Sequence, residues 1–215
     1  MAQSPLSVTA SSSMSLEAFL SWDDGTGTLY ELIEGEPMPM SDPTADHEDV
    51  ADGLCDLLKH HCLAQRLPYV PKRSKLVLVG SRNGKDTARR ADIVVFDAAE
   101  WTQMQGASRS AMAYQVPPLV IEVVSTNWRD DYLTKLAEYE SIGVKEYWIV
   151  DYVALGGKRY IGYPKQATLS IYSMAADQTE YGEPSQFRGH DPIISSIFPE
   201  LTLSAQAVFR GAPVS

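Results

Sequence analysis

The sequence predicts an α/β fold: one sheet with helices packed on it, in the core order helix, strand, strand, strand, helix, strand. Three observations predict it. Two short apolar runs rich in β-branched residues, 91–96 (ADIVVF) and 119–124 (LVIEVV), show little alternation, as strands covered on both faces do. A helical stretch over 130–142 joins the second run to a third, 146–151 (EYWIVD), which favours a parallel crossover. A long helical pattern over 46–66 precedes them all, with Val50, Leu54, Leu57, Leu58 and His61 on one stripe.

The remaining elements follow in chain order. Residues 1–14 are Ser-rich and carry no Lys or Arg, so they read as a disordered lead-in without a signal peptide's charged and apolar regions. Residues 15–210 read as a single domain, a length that supports a sizeable core. A short helix over 15–21 takes Ser15 as N-cap. Residues 29–40 read as a hairpin turning near Glu34 and Gly35. Pro68 and Pro71 close the long helix, 75–79 is a strand, and 81–84 (SRNG) is a turn. A Gln/Ser/Gly/Ala-rich connection fills 98–116, Pro117 and Pro118 open the strand of Glu122, and Gly143 ends the helix over 130–142. The tail is β-rich, with a strand near 169–174 and a short helix over 204–209.

Composition narrows the function. The chain has 215 residues, 44% of them apolar, with a mean hydropathy of -0.19. No segment approaches 18 successive apolar residues, so no membrane span is expected. Cys55 and Cys62 stand seven apart on one helix, roughly 10 Å between Cα atoms, which disfavours a disulfide and fits a reducing, cytoplasmic compartment. The net charge of -10 argues against a nonspecific nucleic-acid coat. The charge is uneven, however: residues 72–90 carry seven basic residues against one acid, +6 in nineteen residues, leaving -16 elsewhere. That strip, ending in Arg89 and Arg90, reads either as a solvated hairpin face or as a phosphate-contacting surface.

Asp92, Glu122 and Lys135 are the candidate site. A carboxylate inside a buried strand is costly unless it is paired or binds a cation. Two of them on neighbouring strands, followed by a helical lysine, point to a metal centre. Each also has a plainer reading: Asp92 as a strand-end cap, Glu122 in a structural ion pair with Lys135 or Arg90, Lys135 as a solvated helix residue. Helical spacing places Asp131, Lys135 and Tyr139 on one side of their helix, at the edge of an apolar stripe of Leu133, Leu136 and Ala137. The group Cys55, His60, His61 and Cys62 lacks a zinc-finger or ribbon spacing and reads as helix core and surface.

Several motifs in order resemble the Uma2 (Uma-two) family, also known as domain of unknown function 820: YELIEGE at 30–36, His47 at the head of the next helix, ADIVV at 91–95, PPLVIEVVS at 117–125, Asp131, Lys135 and Tyr139 at four-residue intervals, GVKEYWIVD at 143–151, and the tail FRG at 187–189 with IFPEL at 197–201. The resemblance implies a restriction-endonuclease-like core of the PD-(D/E)XK nuclease superfamily, with an N-terminal hairpin and a β-rich C-terminal extension. It implies a Mg²⁺-dependent endonuclease, with Mn²⁺ as a substitute metal, acting on DNA as a homodimer. Asp92 and Glu122 match the acids and would be the metal ligands. Val124 stands where the superfamily has its strand lysine, and the family pattern offers Lys135 instead. Glu31 and His47 match as a further ligand or water-positioning contact. The alternative is a binding or regulatory module that kept the nuclease fold without turnover; a third reading is an oligomer subunit using the hairpin and tail as its interface.

Overall fold

Residues 13–107 and 110–211 are described in the computed structural model. Of the expected lead-in, 1–12 lie outside the described residues. Its last part is anchored: the Met14 N–H donates to the Gly35 carbonyl at 2.7 Å. Ser15 caps helix α1 (Leu16–Ser21), its hydroxyl accepting from the Ala18 N–H. Strands β1 (Tyr30–Ile33) and β2 (Glu36–Pro39) form the expected hairpin. Glu34 and Gly35 both adopt positive φ, 48° and 80°, the combination that matches the twist of a two-residue hairpin turn.

Helix α2 (Ala45–Gln65) starts on a Thr44 cap and ends at Arg66, in the left-handed region. Its buried face comprises Val50, Ala51, Leu54, Cys55, Leu58 and Cys62. The two cysteines are free and complete the apolar stripe, and burial pushes the Cys62 thiol up to about 11. His60 bonds the Asp56 carbonyl and His61 the Pro199 carbonyl, so these four residues do not converge on a metal.

Strands β3 (Tyr69–Arg82) and β4 (Lys85–Asp97) form one long antiparallel hairpin through Asn83 and Gly84. Both are longer than the expected 75–79 and 91–96, because their flanking residues are polar and carry no apolar run. Pro71 lies inside β3, opposite Val95. It is tolerated because the far edge of β3 is paired only at Leu76 and Val77. The connection over 98–116 contains helix α3 (Ala98–Gly106) and strand β5 (Met112–Ala113), neither of which was expected. Helix α3 buries only Glu100 and Met104, so it shows no apolar stripe in the sequence.

Strand β6 (Leu119–Val123) leads into a π-helical stretch, Asp130–Lys135, which continues as α4 (Leu136–Ile142) and stops at Gly143, φ 85°. Strand β7 (Glu146–Asp151) then pairs parallel to β6, as the crossover predicted. The extension adds α5 (Lys158–Ile161), β8 (Thr168–Ser173), β9 (Ser185–Phe187) and α6 (Ala205–Phe209). The described strands make one mostly antiparallel sheet in the order β2-β1-β4-β6-β7-β8-β9, with β3 and β5 attached through β4. Alternate residues enter two cores. Ile93, Val95, Ile121 and Trp148 pack with α2 and α6, while Val94, Phe96, Val120 and Ile149 pack with Tyr132 and Tyr139. Burial on both faces is the reason the strand sequences do not alternate. No described helix is long and apolar enough to cross a membrane.

The buried Glu146 fastens the tail. Its carboxylate accepts from Trp148 Nε1 (2.9 Å), the Ser195 hydroxyl (2.7 Å) and the Ser196 N–H and hydroxyl (2.5 and 2.6 Å). The charge is thereby met with hydrogen bonds on all sides, as a buried carboxylate requires.

Candidate active site

The site arises where strand β4 changes partners. Its inner edge pairs with β1 at Ala88 and with β6 from Ile93 to Val95. Between them lies an unladdered notch, Arg89 to Asp92. The Glu31 carboxylate fills part of it, accepting from the Arg90 N–H at 2.9 Å. At the other end, Asp92 Oδ2 accepts from the Val123 N–H at 2.7 Å. The β4–β6 register places Asp92 one step beyond the Ile93–Ile121 pair, opposite Glu122. Both acids therefore lie on the face covered by the π-helical stretch and α4.

That helix brings a polar face inward. Lys135 Nζ stands 3.1 Å from Glu122 Oε2 and 3.1 Å from Asp131 Oδ1. Tyr139 donates its hydroxyl to Glu122 Oε1 at 2.8 Å, and Tyr147 donates to the Asp131 carbonyl at 3.0 Å. His47, at the head of α2, approaches from the other layer. Its Nε2 is 2.9 Å from the Val123 carbonyl and 3.5 Å from Asp92 Oδ2. A carbonyl only accepts, so Nε2 carries a hydrogen. Its Nδ1 is buried without a hydrogen-bond partner.

Two buried carboxylates, Glu122 and Asp131, thus share one ammonium, with Asp92 opposite Glu122 on the neighbouring strand. Burial pushes Glu122 upward; Lys135 and the Tyr139 hydroxyl oppose this, Asp92 and Asp131 reinforce it, and the carboxyl ends well above its ordinary value. Burial likewise raises Asp131, against Lys135, to about 6. Burial disfavours the Lys135 cation, but Glu122, Asp131, Glu31 and Asp92 outweigh it and hold the proton. The two partners of the Glu122–Lys135 contact lean toward opposite charge states for Glu122. The lysine direction is the firmer, because four carboxylates act on it together, whereas the protons of the acids are shared among them. Asp92 differs: burial raises it, but the His47 hydrogen bond and charge, with Lys135 and the Val123 N–H, carry it below its usual value.

His47 yields a pH prediction. Burial lowers its pKa, yet Asp92, the Val123 carbonyl and Glu48 outweigh burial and raise it above the usual 6.5. A raised folded-state pKa means the stabilisation is complete below the unfolded value and lost as pH rises through the folded one. The imidazole proton resonances should titrate with a midpoint above 6.5, and Asp92→Asn should lower it. A wild-type midpoint at or below that value would contradict the contact.

The structure brings together Asp92, Glu122, Lys135, His47, Asp131 and Tyr139. It separates Glu31, Arg89 and Arg90 from that centre. Arg89 is buried, pairing with Glu31 at 3.0 Å, Glu138 at 2.7 Å and Asp130 at 3.6 Å. Glu31 is consumed by Arg89 and the Arg90 N–H, so it is no metal ligand in this arrangement. Arg90 points inward to the Tyr30 and Ser74 carbonyls. Neither arginine offers a phosphate contact, and the basic strip breaks up because successive strand residues face opposite sides. Arg73, for example, pairs with Glu48 and Asp52. Leu133 and Ala137 are exposed rather than core, because the hidden side of the helix is Asp131, Tyr132, Lys135 and Tyr139. The Val123 carbonyl and Tyr147 belong to the site and were not read from the sequence; a main-chain oxygen leaves no sequence signal.

A helix–strand–strand–strand–helix–strand core with acids on its two central strands defines a restriction-endonuclease-like protein. The profile of the Uma2 family, described as "Putative restriction endonuclease", matches residues 16–206, and the chain belongs to that family. A crystal structure of a "putative nuclease belonging to DUF820" from Anabaena variabilis superposes with a TM-score of 0.68 at 19% identity, over 92% of this chain and 98% of that one. That likeness carries the fold. No curated protein matches the chain.

Proposed function

We propose that this chain is a Mg²⁺-dependent nuclease that hydrolyses DNA phosphodiester bonds at Asp92, Glu122 and Lys135. The observation that carries the reading is the placement of Asp92 opposite Glu122 across β4 and β6, with the Lys135 ammonium 3.1 Å from both Glu122 and Asp131.

The donor set fits a hard divalent cation. Among the described residues no three His, Cys, Asp or Glu side chains surround one point in ligating geometry. Magnesium does not require this, since it binds through one or two carboxylates, waters and substrate phosphate. Carboxylate oxygens are the ligand chemistry it prefers. Asp92 and Glu122 would hold the ion, with Mn²⁺ as a substitute. When bound, it supplies a water of lowered pKa and charge stabilisation on the phosphoryl oxygens.

The chain's own residues do the rest. The Tyr139 hydroxyl fixes the Glu122 carboxylate, and the Val123 N–H fixes that of Asp92. His47 steadies the same strand end through the Val123 carbonyl. Lys135, held protonated, serves as a cationic donor that orients the attacking water and meets charge developing on the phosphate. Two such chains acting on opposite strands would pair as a homodimer, visible by sedimentation. The second reading, a binding module without turnover, draws on Val124: the strand position of the superfamily lysine is a buried valine whose N–H pairs with the Val150 carbonyl.

Calorimetry with Mg²⁺ tests the metal directly. Wild type should bind, and Glu122→Gln, which keeps the shape and a group able to accept from Tyr139, should lose at least about tenfold in affinity. Equal binding by both proteins would remove Glu122 from the ligand set.

A further inference from the structure

The helix that carries Asp131 and Lys135 has a second working side. Tyr132, Leu133 and Leu136 form one wall of an open cleft of 650 Å³, flanked by Arg159 and Tyr160 of α5, Tyr172 of β8 and the segment around Tyr181. This volume lies within the roughly 300–1,000 Å³ of small-ligand sites. Its walls are aromatic. Tyr132 and Tyr160 stack at 4.7 Å between centroids, and Tyr172 meets Tyr181 at 6.1 Å. Leu133, half exposed at 49%, stands among them.

The polar groups are placed for one ligand chemistry. Arg159 is exposed, lies 5.7 Å over the Tyr160 ring and forms no salt bridge among the described residues. Arg188 is fixed by the Thr168 hydroxyl at 2.9 Å, the Ile161 carbonyl at 3.2 Å and Gln186 Oε1 at 2.9 Å. Of the nearby acids, Glu140 already accepts the Tyr181 N–H at 2.7 Å, and Glu183 is exposed. The Tyr132 hydroxyl is fully buried and makes no hydrogen bond of normal geometry. A flat aromatic group joined to an anion matches the exposed features, the Tyr160 and Tyr181 rings and Arg159. Stacking tyrosines beside an unpaired arginine hold unpaired bases by their faces and backbone phosphate by its charge.

We propose that this cleft binds a single nucleotide unit, base against the partly exposed faces of Tyr160 and Tyr181 and phosphate on Arg159, one helix away from the Asp92–Glu122–Lys135 centre. The unit comes from the strand being cut or from a free nucleotide; this rests on the nuclease reading for its source, while the binding chemistry stands by itself. A blunt duplex, whose bases are stacked inside, is not its ligand.

Binding in EDTA, where no metal supports cleavage, tests the cleft. The probes are a fluorescein-labelled single-stranded decanucleotide, the matching blunt duplex, and dAMP as competitor. Wild type should bind the single strand. Arg159→Ala and Tyr160→Ala should each weaken it at least about fivefold, with thermal unfolding unchanged in Arg159→Ala, and Tyr160→Phe, which keeps the ring, should bind as wild type. Competition by dAMP identifies a free nucleotide as sufficient; strand binding without competition identifies the strand as the ligand. Single-strand binding unaffected by Arg159→Ala and Tyr160→Ala, or no binding of strand and nucleotide alike, overturns the proposal. Loss of strand binding in Arg159→Ala in a protein that never cuts DNA would remove the nuclease reading and leave this one. Cleavage with strand binding indifferent to Arg159 would do the reverse.

Discussion

Lys135→Ala should abolish Mg²⁺-dependent cleavage, by a factor on the order of 10²–10⁴, while leaving Mg²⁺ binding largely intact. Among the described residues the lysine supplies the only ammonium within reach of Glu122 and Asp131, 3.1 Å from each. It holds no metal, because its lone pair is occupied by the proton that the surrounding carboxylates retain. Removing it strips the donor from the attacking water but spares the oxygens of Asp92 and Glu122. Lys135→Arg should not restore activity: a wide planar guanidinium does not occupy the point between two carboxylates that a compact ammonium does. Rates measured on several DNA forms, with calorimetry on the same variants, check both halves. Cleavage that persists in Lys135→Ala and vanishes in Asp92→Ala would show a metal site that works without this lysine.

Arg89→Ala should cost about 3–5 kcal/mol of stability, the scale of breaking a buried ion pair from one side. The Arg89 guanidinium joins Glu31 of β1, Asp130 of the π-helical stretch and Glu138 of α4, so it ties the hairpin to the helix that carries Lys135. Burial lowers its affinity for the proton, but Glu138, Glu31 and Asp130 more than restore it. The loss is large against the roughly 5–15 kcal/mol of a whole domain and should appear as a lowered urea midpoint. Arg89→Lys should recover only part of it, since one ammonium cannot reproduce the Nε and NH contacts. An unchanged midpoint with weakened DNA binding would return Arg89 to the role of a phosphate contact.

The central acids were legible because a charge inside an apolar run has few explanations. Asp92 stands at the opening of the apolar run 91–96, and Glu122 sits among valines and isoleucine, so each announced a partner or an ion. The parallel β6–β7 pair was legible for the same kind of reason, through the helix that separates two apolar runs. Arg89 was not legible. Its partners are 49 and 58 residues away by hydrogen bond, and a basic strip in sequence becomes two faces once a strand alternates. The inward side of the helix over 130–142 was misjudged because its hidden residues are charged and aromatic, while leucine and alanine at 133 and 137 face out. The π-helical turn also shifts the phase that an α-helical stripe assumes. Helix α3 was hidden by composition, since only Glu100 and Met104 of it are buried.

The most direct test of the metal-dependent centre is DNA cleavage by purified protein with Mg²⁺, Mn²⁺ or EDTA, beside Asp92→Ala prepared in the same way. Wild type should cut with either metal, stop in EDTA, and resume when metal is returned, while Asp92→Ala should be inactive throughout. No metal-dependent cleavage of single-stranded, double-stranded or supercoiled DNA by the wild type, or equal cleavage by Asp92→Ala, would contradict the account.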